Sequence, residues 1–127
     1  MNKEVDAKQE KRYDKKLEKE LRSWLKEKLP DYSETIMNEE KTFQHILKSG
    51  VLLCHLINQI QPNSVKNISM VKNNFRQREN ISMYLAACTT LGLPETALFS
   101  TIDLYEDRDM ATVLAHLQFL RHWVQKD

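Results

Sequence analysis

The sequence predicts an all-α domain in which four main helices and shorter connecting helices surround one buried central helix. Three observations carry this prediction. Only two glycines and three prolines occur among the 127 residues, and this composition favours helices over turn-rich sheets. Apolar side chains recur at spacings of three and four residues, which is the period of a helix. No stretch alternates apolar and polar residues as a half-buried strand does.

The opening helix is predicted from about residue 13. Its apolar stripe consists of Tyr13, Leu17, Leu21, Trp24 and Leu25. Such a stripe is typical of a helix that packs one face on a core. Pro30 ends the helix, because the residue before a proline avoids the helical conformation. Residues 1–11 lack a stripe and are expected to be a flexible tail, so the domain is expected over residues 12–127.

A short helix over residues 42–48 precedes the predicted central helix at residues 51–60. The central helix is apolar on nearly every side, through Val51, Leu52, Leu53, Cys54, Leu56, Ile57 and Ile60. A helix without a polar face is a buried helix. Ser49 is its expected N-cap. The polar residues 63–74 indicate a surface loop held by three apolar anchors, namely Val65, Ile68 and Val71.

Two further helices complete the prediction. One covers about residues 77–91 and ends at Gly92, a residue typical of helix C-termini. The last covers about residues 108–124, with Asp107 or Asp109 as its N-cap. The side chains that we expect to form the core are Leu21, Trp24, Leu53, Leu56, Ile57, Leu85, Leu114 and Leu117.

Composition excludes several classes of function. The formal net charge is only +1, whereas a nucleic-acid-binding domain is usually strongly basic. Two isolated glycines cannot form a phosphate-binding loop. The four histidines are not spaced as metal ligands are. Cys54 and Cys88 are expected to be reduced thiols in the core. We therefore expect an intracellular binding module, monomeric in isolation, that is not an enzyme, uses no metal or cofactor and inserts into no membrane.

Charge is distributed unevenly along the chain, and this suggests where a partner binds. Residues 41–90 carry six basic side chains against Glu79 alone. An exposed basic surface would attract an acidic partner, although charged helix faces are more often simply solvated. The candidate partner-binding residues are Arg22, Lys26, Lys28, Lys66, Lys72, Arg76 and Arg78.

Three stretches resemble a known family when they are taken together. They are RYDKKLEKELRSWL at residues 12–25, FQHILKSGVLLCHLINQIQPNSVKNI at residues 43–68, and ENISMYLAACTTLGLPETALFSTIDLYEDRDMATVLAHLQFL at residues 79–120. Their order and spacing resemble the single, or type 3, calponin-homology domain of calponin, transgelin, the IQGAP group and the Vav exchange factors. The Lys-x-x-x-x-Trp motif of tandem actin-binding pairs has no counterpart here.

The resemblance implies a module of the actin cytoskeleton that contributes to the binding and organisation of filaments in the cytoplasm. It supports Lys66 best among the candidates, through the match at QPNSVK. An alternative stays open, because some single domains of this type dock signalling partners. In that case the chain is a signalling or autoregulatory domain of a larger exchange factor or scaffold, and binds protein partners rather than F-actin.

Overall fold

The computed structural model describes residues 13–125, so the expected tail over residues 1–11 lies outside the described residues. The described part contains helices and two short 3₁₀ turns, Pro30–Tyr32 and Glu95–Ala97, and no strand. The helices are α1 (Lys15–Lys28), α2 (Ser33–Ile36), α3 (Phe43–Leu47), α4 (Val51–Ile60), α5 (Asn74–Leu91), α6 (Thr101–Tyr105) and α7 (Met110–Gln125). The predicted all-α fold is confirmed.

Helix α4 is the buried centre of the molecule and packs against α1, α3 and most extensively α5. The predicted core residues Leu53, Leu56 and Ile57 are fully buried on it. Gly50, rather than the predicted Ser49, occupies the N-cap position, in the left-handed region at φ 78°. A Cβ atom at Gly50 would lie 2.7 Å from Cβ of Asn80, so only glycine allows α4 and α5 to approach this closely.

Helices α1 and α7 pack against each other and supply four of the five other predicted core residues. Leu21, Trp24, Leu114 and Leu117 are all buried. Helix α1 begins after Asp14, whose Oδ1 accepts a hydrogen bond from the backbone N of Leu17 at 3.0 Å. Helix α7 begins after Asp109, whose Oδ1 accepts from the backbone N of Thr112 at 3.2 Å. These caps satisfy backbone donors that a helix start leaves unpaired.

Helix α5 begins three residues earlier than predicted, at Asn74. Asn73 caps it, because its Oδ1 accepts from the backbone N of Arg76 at 2.8 Å. The predicted end at Gly92 is confirmed, with φ at 112°. Leu85 is only partly buried at the edge of the core, whereas the neighbouring Tyr84 is fully buried. Leu85 therefore lies at the margin of the face that α5 turns towards α4.

The loop between α4 and α5 has two of its three predicted anchors. Val65 is buried and Ile68 is partly buried. Val71 is 55% exposed, so its prediction as an anchor is wrong. The loop leaves the core after Ser69 and carries Val71 into solvent. No helix of the described residues is long and apolar enough to cross a membrane.

Candidate protein-binding surface

Arg22 is a structural residue, and its prediction as an exposed contact is wrong. Only 5% of its surface is accessible. Its Nε donates to Oε2 of Glu18 at 2.9 Å. The two Nη atoms donate to three backbone carbonyls, those of Ile36 at 2.9 Å, Asn38 at 3.1 Å and Lys41 at 2.8 Å.

The segment between α2 and α3 explains why an arginine is needed there. Residues 37–42 form no regular helix or strand, and backbone carbonyls that leave solvent need donors. The five N–H groups of a guanidinium can serve several such carbonyls at once. Arg22 therefore ties this segment to α1, and its charge is neutralised locally by Glu18. Burial and the hydrogen bond to Glu18 also raise the pKa of Tyr13 above its ordinary value.

The remaining predicted cations of α1 lie at its C-terminal end. Lys26 is exposed and Lys28 is partly exposed, where positive charge interacts favourably with the helix dipole. Helix α1 packs on α4 and α7, whereas α5 packs on α4 and α6. The structure thus separates the cations of α1 from those of the α4–α5 loop and the start of α5.

The second group of cations surrounds the start of α5, where Lys72, Arg76 and Arg78 are all exposed. Arg76 pairs with Glu79 at 3.1 Å, and Arg78 pairs with Glu106 at 3.5 Å. Each of these four side chains is about half exposed. Exposed pairs of this kind contribute about 0–1 kcal/mol, so a partner's carboxylates can compete for the arginines.

The position of these cations around the N-terminus of α5 adds to the positive charge there. The first turn of α5 contains no acidic residue. A helix N-terminus carries a partial positive charge of its own, which acidic side chains usually offset. Here Lys72 and Arg76 add to that charge instead. The start of α5 therefore combines exposed basic side chains with the positive end of the helix dipole.

Three large apolar side chains lie beside these cations, exposed to solvent. Met70 is 68% exposed, Val71 is 55% exposed and Phe75 is 68% exposed. We call the surface formed by Met70, Val71, Lys72, Phe75 and Arg76 the docking strip. Scattered exposed apolar residues are common, but adjacent large ones ringed by polar groups mark interaction sites.

Sequence reasoning missed Met70 and Phe75. A signal for Phe75 was present, because the positions three and four residues after it are Arg78 and Glu79. A helical residue whose next-turn neighbours are charged does not belong to a core stripe. Met70 belongs to an irregular loop, and no periodic pattern applies there.

Asn80 fixes the base of the docking strip, although it is remote from solvent. Its fully buried side chain accepts from the backbone N of Ser69 at 3.0 Å. It donates to the backbone O of Ser69 at 2.8 Å and of Ser49 at 3.0 Å. Since Ser69 immediately precedes Met70, these three bonds determine where the strip leaves the core.

The buried histidine and cysteines are held in unreactive states. Nδ1 of His116 lies 2.8 Å from the backbone O of Ala97, an acceptor only, so this nitrogen carries the proton. Nε2 then accepts from the Tyr84 hydroxyl at 2.6 Å. Burial lowers the pKa of His116 to about 4. Burial raises the pKa of Cys54 and Cys88 to about 12, so both thiols stay protonated at neutral pH.

The candidate surface combines exposed cations with exposed apolar side chains. Within residues 13–125 no three His, Cys, Asp or Glu side chains are grouped so as to hold a metal ion. Lys66 is exposed on the loop between α4 and α5, and Lys72 lies near the other end of the same loop. The features that stand out are the electropositive start of α5 and the apolar side chains beside it.

Comparison with known proteins gives two findings. The sequence model of one family, described as the calponin homology (CH) domain, matches residues 15–126. The chain is also 38% identical over 117 residues to Rac guanine nucleotide exchange factor B of Dictyostelium discoideum. That alignment covers 92% of this chain and 9% of the exchange factor. The chain thus corresponds to a small part of that relative.

Proposed function

This chain belongs to the calponin homology family, and we propose that it is a non-catalytic module that binds actin filaments through the docking strip. The observation that carries the proposal is the exposure of Met70, Val71 and Phe75 beside Lys72 and Arg76. A filament-binding role places the protein on the cytoskeleton, in the cytoplasm.

The composition of the docking strip resembles that of protein interfaces. Aromatic side chains, methionine and arginine are enriched where proteins bind each other. A central aromatic residue commonly provides most of the affinity, while surrounding polar groups exclude water and fix the orientation. In the strip Phe75 is the central aromatic residue, with Arg76 next to it and Lys72 three residues before it.

Charge supports an acidic partner, and the surface of an actin filament is acidic. Lys72, Arg76 and the start of α5 together present positive charge without an acid in the first helical turn. Complementary charge accelerates association and makes affinity fall as salt rises. Filament binding through this strip should therefore be salt-dependent, with an apolar contribution that persists at higher salt.

The test is co-sedimentation of the domain with filamentous actin at low and near-physiological salt. We expect saturable binding that weakens with salt and falls about tenfold in Phe75→Ser, since a central aromatic contact is worth more than 1 kcal/mol. Phe119→Ser is the matched control, because Phe119 is 38% exposed on α7, outside the strip. Equal loss in both variants would contradict the assignment, and no pelleting at either salt would refute filament binding.

A second candidate function follows from the relative named as a Rac exchange factor. As a regulatory module, this domain would contact another part of a longer exchange factor instead of actin. The measurement is nucleotide exchange on Rac by the Dictyostelium relative after removal of its matching segment. Addition of this domain should then change the exchange rate, and the Phe75→Ser variant should change it less. An unchanged rate would count against this candidate.

A further inference from the structure

A groove lies beside the α4–α5 loop, towards the end of that loop opposite the docking strip. It has a volume of about 810 Å³, which is within the range of ligand-binding clefts. One wall is the loop at residues 61–67, and the floor is the C-terminal half of α5. None of its lining residues belongs to the docking strip.

The floor of the groove is one face of α5. The α5 residues that line it are Met83, Ala86, Ala87, Thr90 and Leu91. Their spacing of three and four residues follows the helical period, and the face extends for about 12 Å. The residues at its ends are large, whereas the residues between them are small. Thr90 directs its hydroxyl hydrogen bond to the backbone O of Ala86, at 3.2 Å, so its polar group is already satisfied.

The wall of the groove, the loop at residues 61–67, is held in place by hydrogen bonds. The side chain of Asn58 donates to the backbone O of Val65 at 3.0 Å and accepts from its backbone N at 2.9 Å. The Ser64 hydroxyl donates to the backbone O of Gln61 at 2.5 Å. Because the wall is already fixed, an occupant would lose little affinity to ordering of the loop.

The charge of the groove comes from one residue. Lys66 is the single ionisable side chain among the residues that line it. It is exposed and takes part in none of the ion pairs formed within residues 13–125. The groove therefore presents an apolar floor with one positive charge at its rim.

We propose that this groove binds an amphipathic helix of a partner protein, about two to three turns long. The apolar face of the partner helix packs on α5, and one of its carboxylates pairs with Lys66. Small residues such as Ala86 and Thr90 allow two helices to approach closely, because interhelical distance depends on the side chains at the contact. The apolar side chains of such a ligand recur at every third and fourth position.

The experiment is a selection from a displayed library of randomised helical peptides against the immobilised domain. Peptides that also bind an Ala86→Gln variant are removed, because glutamine fills the groove and is a good helix former. We expect the retained peptides to carry an apolar helical stripe and an acidic residue. The best peptide should bind Lys66→Glu about tenfold more weakly, and should bind the control Lys26→Glu as well as the native domain.

Two results would overturn this proposal. One is the absence of peptides that prefer the native domain to Ala86→Gln, once both proteins show the same thermal midpoint. The other is retained peptides without acidic residues, or peptides whose binding ignores Lys66→Glu. A dimer of the domain that Ala86→Gln abolishes would assign the groove to a second copy instead. Actin pelleting is a separate measurement, and Ala86→Gln should leave it unchanged.

Discussion

Arg22 on α1 and Arg76 on α5 have opposite roles. Arg22 on α1 is buried and donates to Glu18 and to three backbone carbonyls. Arg76 on α5 is exposed, and its guanidinium pairs with Glu79 and lies 5.5 Å from the centroid of the Phe75 ring. Both were candidates for partner binding, yet one is committed to the fold and the other is available at the surface.

The difference shows that the hydrogen-bond acceptors around a basic side chain decide whether it serves the fold or stays available at the surface. Arg22 follows the buried Leu21 and lies next to a segment whose carbonyls lack regular partners. Arg76 lies at a helix start, where acceptors are scarce and donors are abundant. A basic residue beside irregular backbone donates hydrogen bonds that hold this backbone in place. A basic residue at a helix N-terminus stays available to an acidic partner.

The largest expected effect is that of Arg22→Ala, which tests the structural half of the comparison. Loss of the guanidinium removes the ion pair of Glu18 and the side-chain donors of the Ile36 and Lys41 carbonyls, while the Asn38 carbonyl keeps only the backbone N of Lys41 at 3.2 Å. We expect the free energy of unfolding to fall by about 3 kcal/mol, as for other broken buried charge networks. Urea denaturation measures it. Arg22→Lys should recover part of the loss. A change in the free energy of unfolding below about 0.5 kcal/mol in Arg22→Ala would contradict the structural role of Arg22.

The next effect concerns His116, a buried basic group that lacks a carboxylate partner among its hydrogen bonds. Its pKa is lowered from 6.5 to about 4, so the folded state binds its proton more weakly than the unfolded state. The associated stability is therefore present above pH 6.5 and is lost as the pH falls towards 4. The shift corresponds to about 3 kcal/mol.

Denaturation curves between pH 7 and pH 4 measure this loss. His116→Gln is the control, because glutamine does not titrate and the carboxylates of the protein titrate equally in both proteins. The native domain should lose more stability than the variant over this range. Parallel losses would show that His116 can be protonated inside the fold without penalty.

Charge reversal sharpens the surface half of the comparison. We expect the double variant Lys72→Glu/Arg76→Glu to bind filaments about tenfold more weakly at low salt, because rim charges contribute up to about 1 kcal/mol each. The matched variant Lys26→Glu/Lys28→Glu changes the same net charge on α1 and should have a smaller effect. Co-sedimentation compares the two. A larger loss in the α1 variant would move the filament contact to α1.

The smallest expected effect is that of Arg76→Ala on stability. Its ion pair with Glu79 is about half exposed on both sides, and such pairs contribute little to folding. We expect the free energy of unfolding to change by less than about 0.5 kcal/mol in the same urea assay. A loss approaching that of Arg22→Ala would erase the distinction between the two arginines.

The helices could be predicted because their signals are local. The apolar residues of α4 and the glycine after α5 are sufficient to place a buried helix and a helix end, and both were confirmed. Leu85 shows the limit of this reasoning, since it lies on the apolar stripe of α5 but at the margin of the contact with α4. A stripe predicts the buried face only to within about one residue.

The candidate site was less predictable, because it depends on contacts between distant parts of the chain. Nothing around Arg22 in the sequence shows that the carbonyls of Ile36, Asn38 and Lys41 converge on it. Val71 was expected to anchor its loop, yet Asn80 holds that loop at Ser69 and releases Val71 into solvent. Exposure of the strip is decided by this buried amide, eleven residues away from Ser69 in the sequence.

Both cysteines of the chain, Cys54 and Cys88, are buried in the core between α4 and α5. An alkylating reagent can reach their sulfur atoms only after these two helices separate. The rate of labelling therefore reports how readily the core opens, without an attached dye or a denaturant. The domain contains its own reporter of unfolding, and each labelled molecule records that its core has opened at least once.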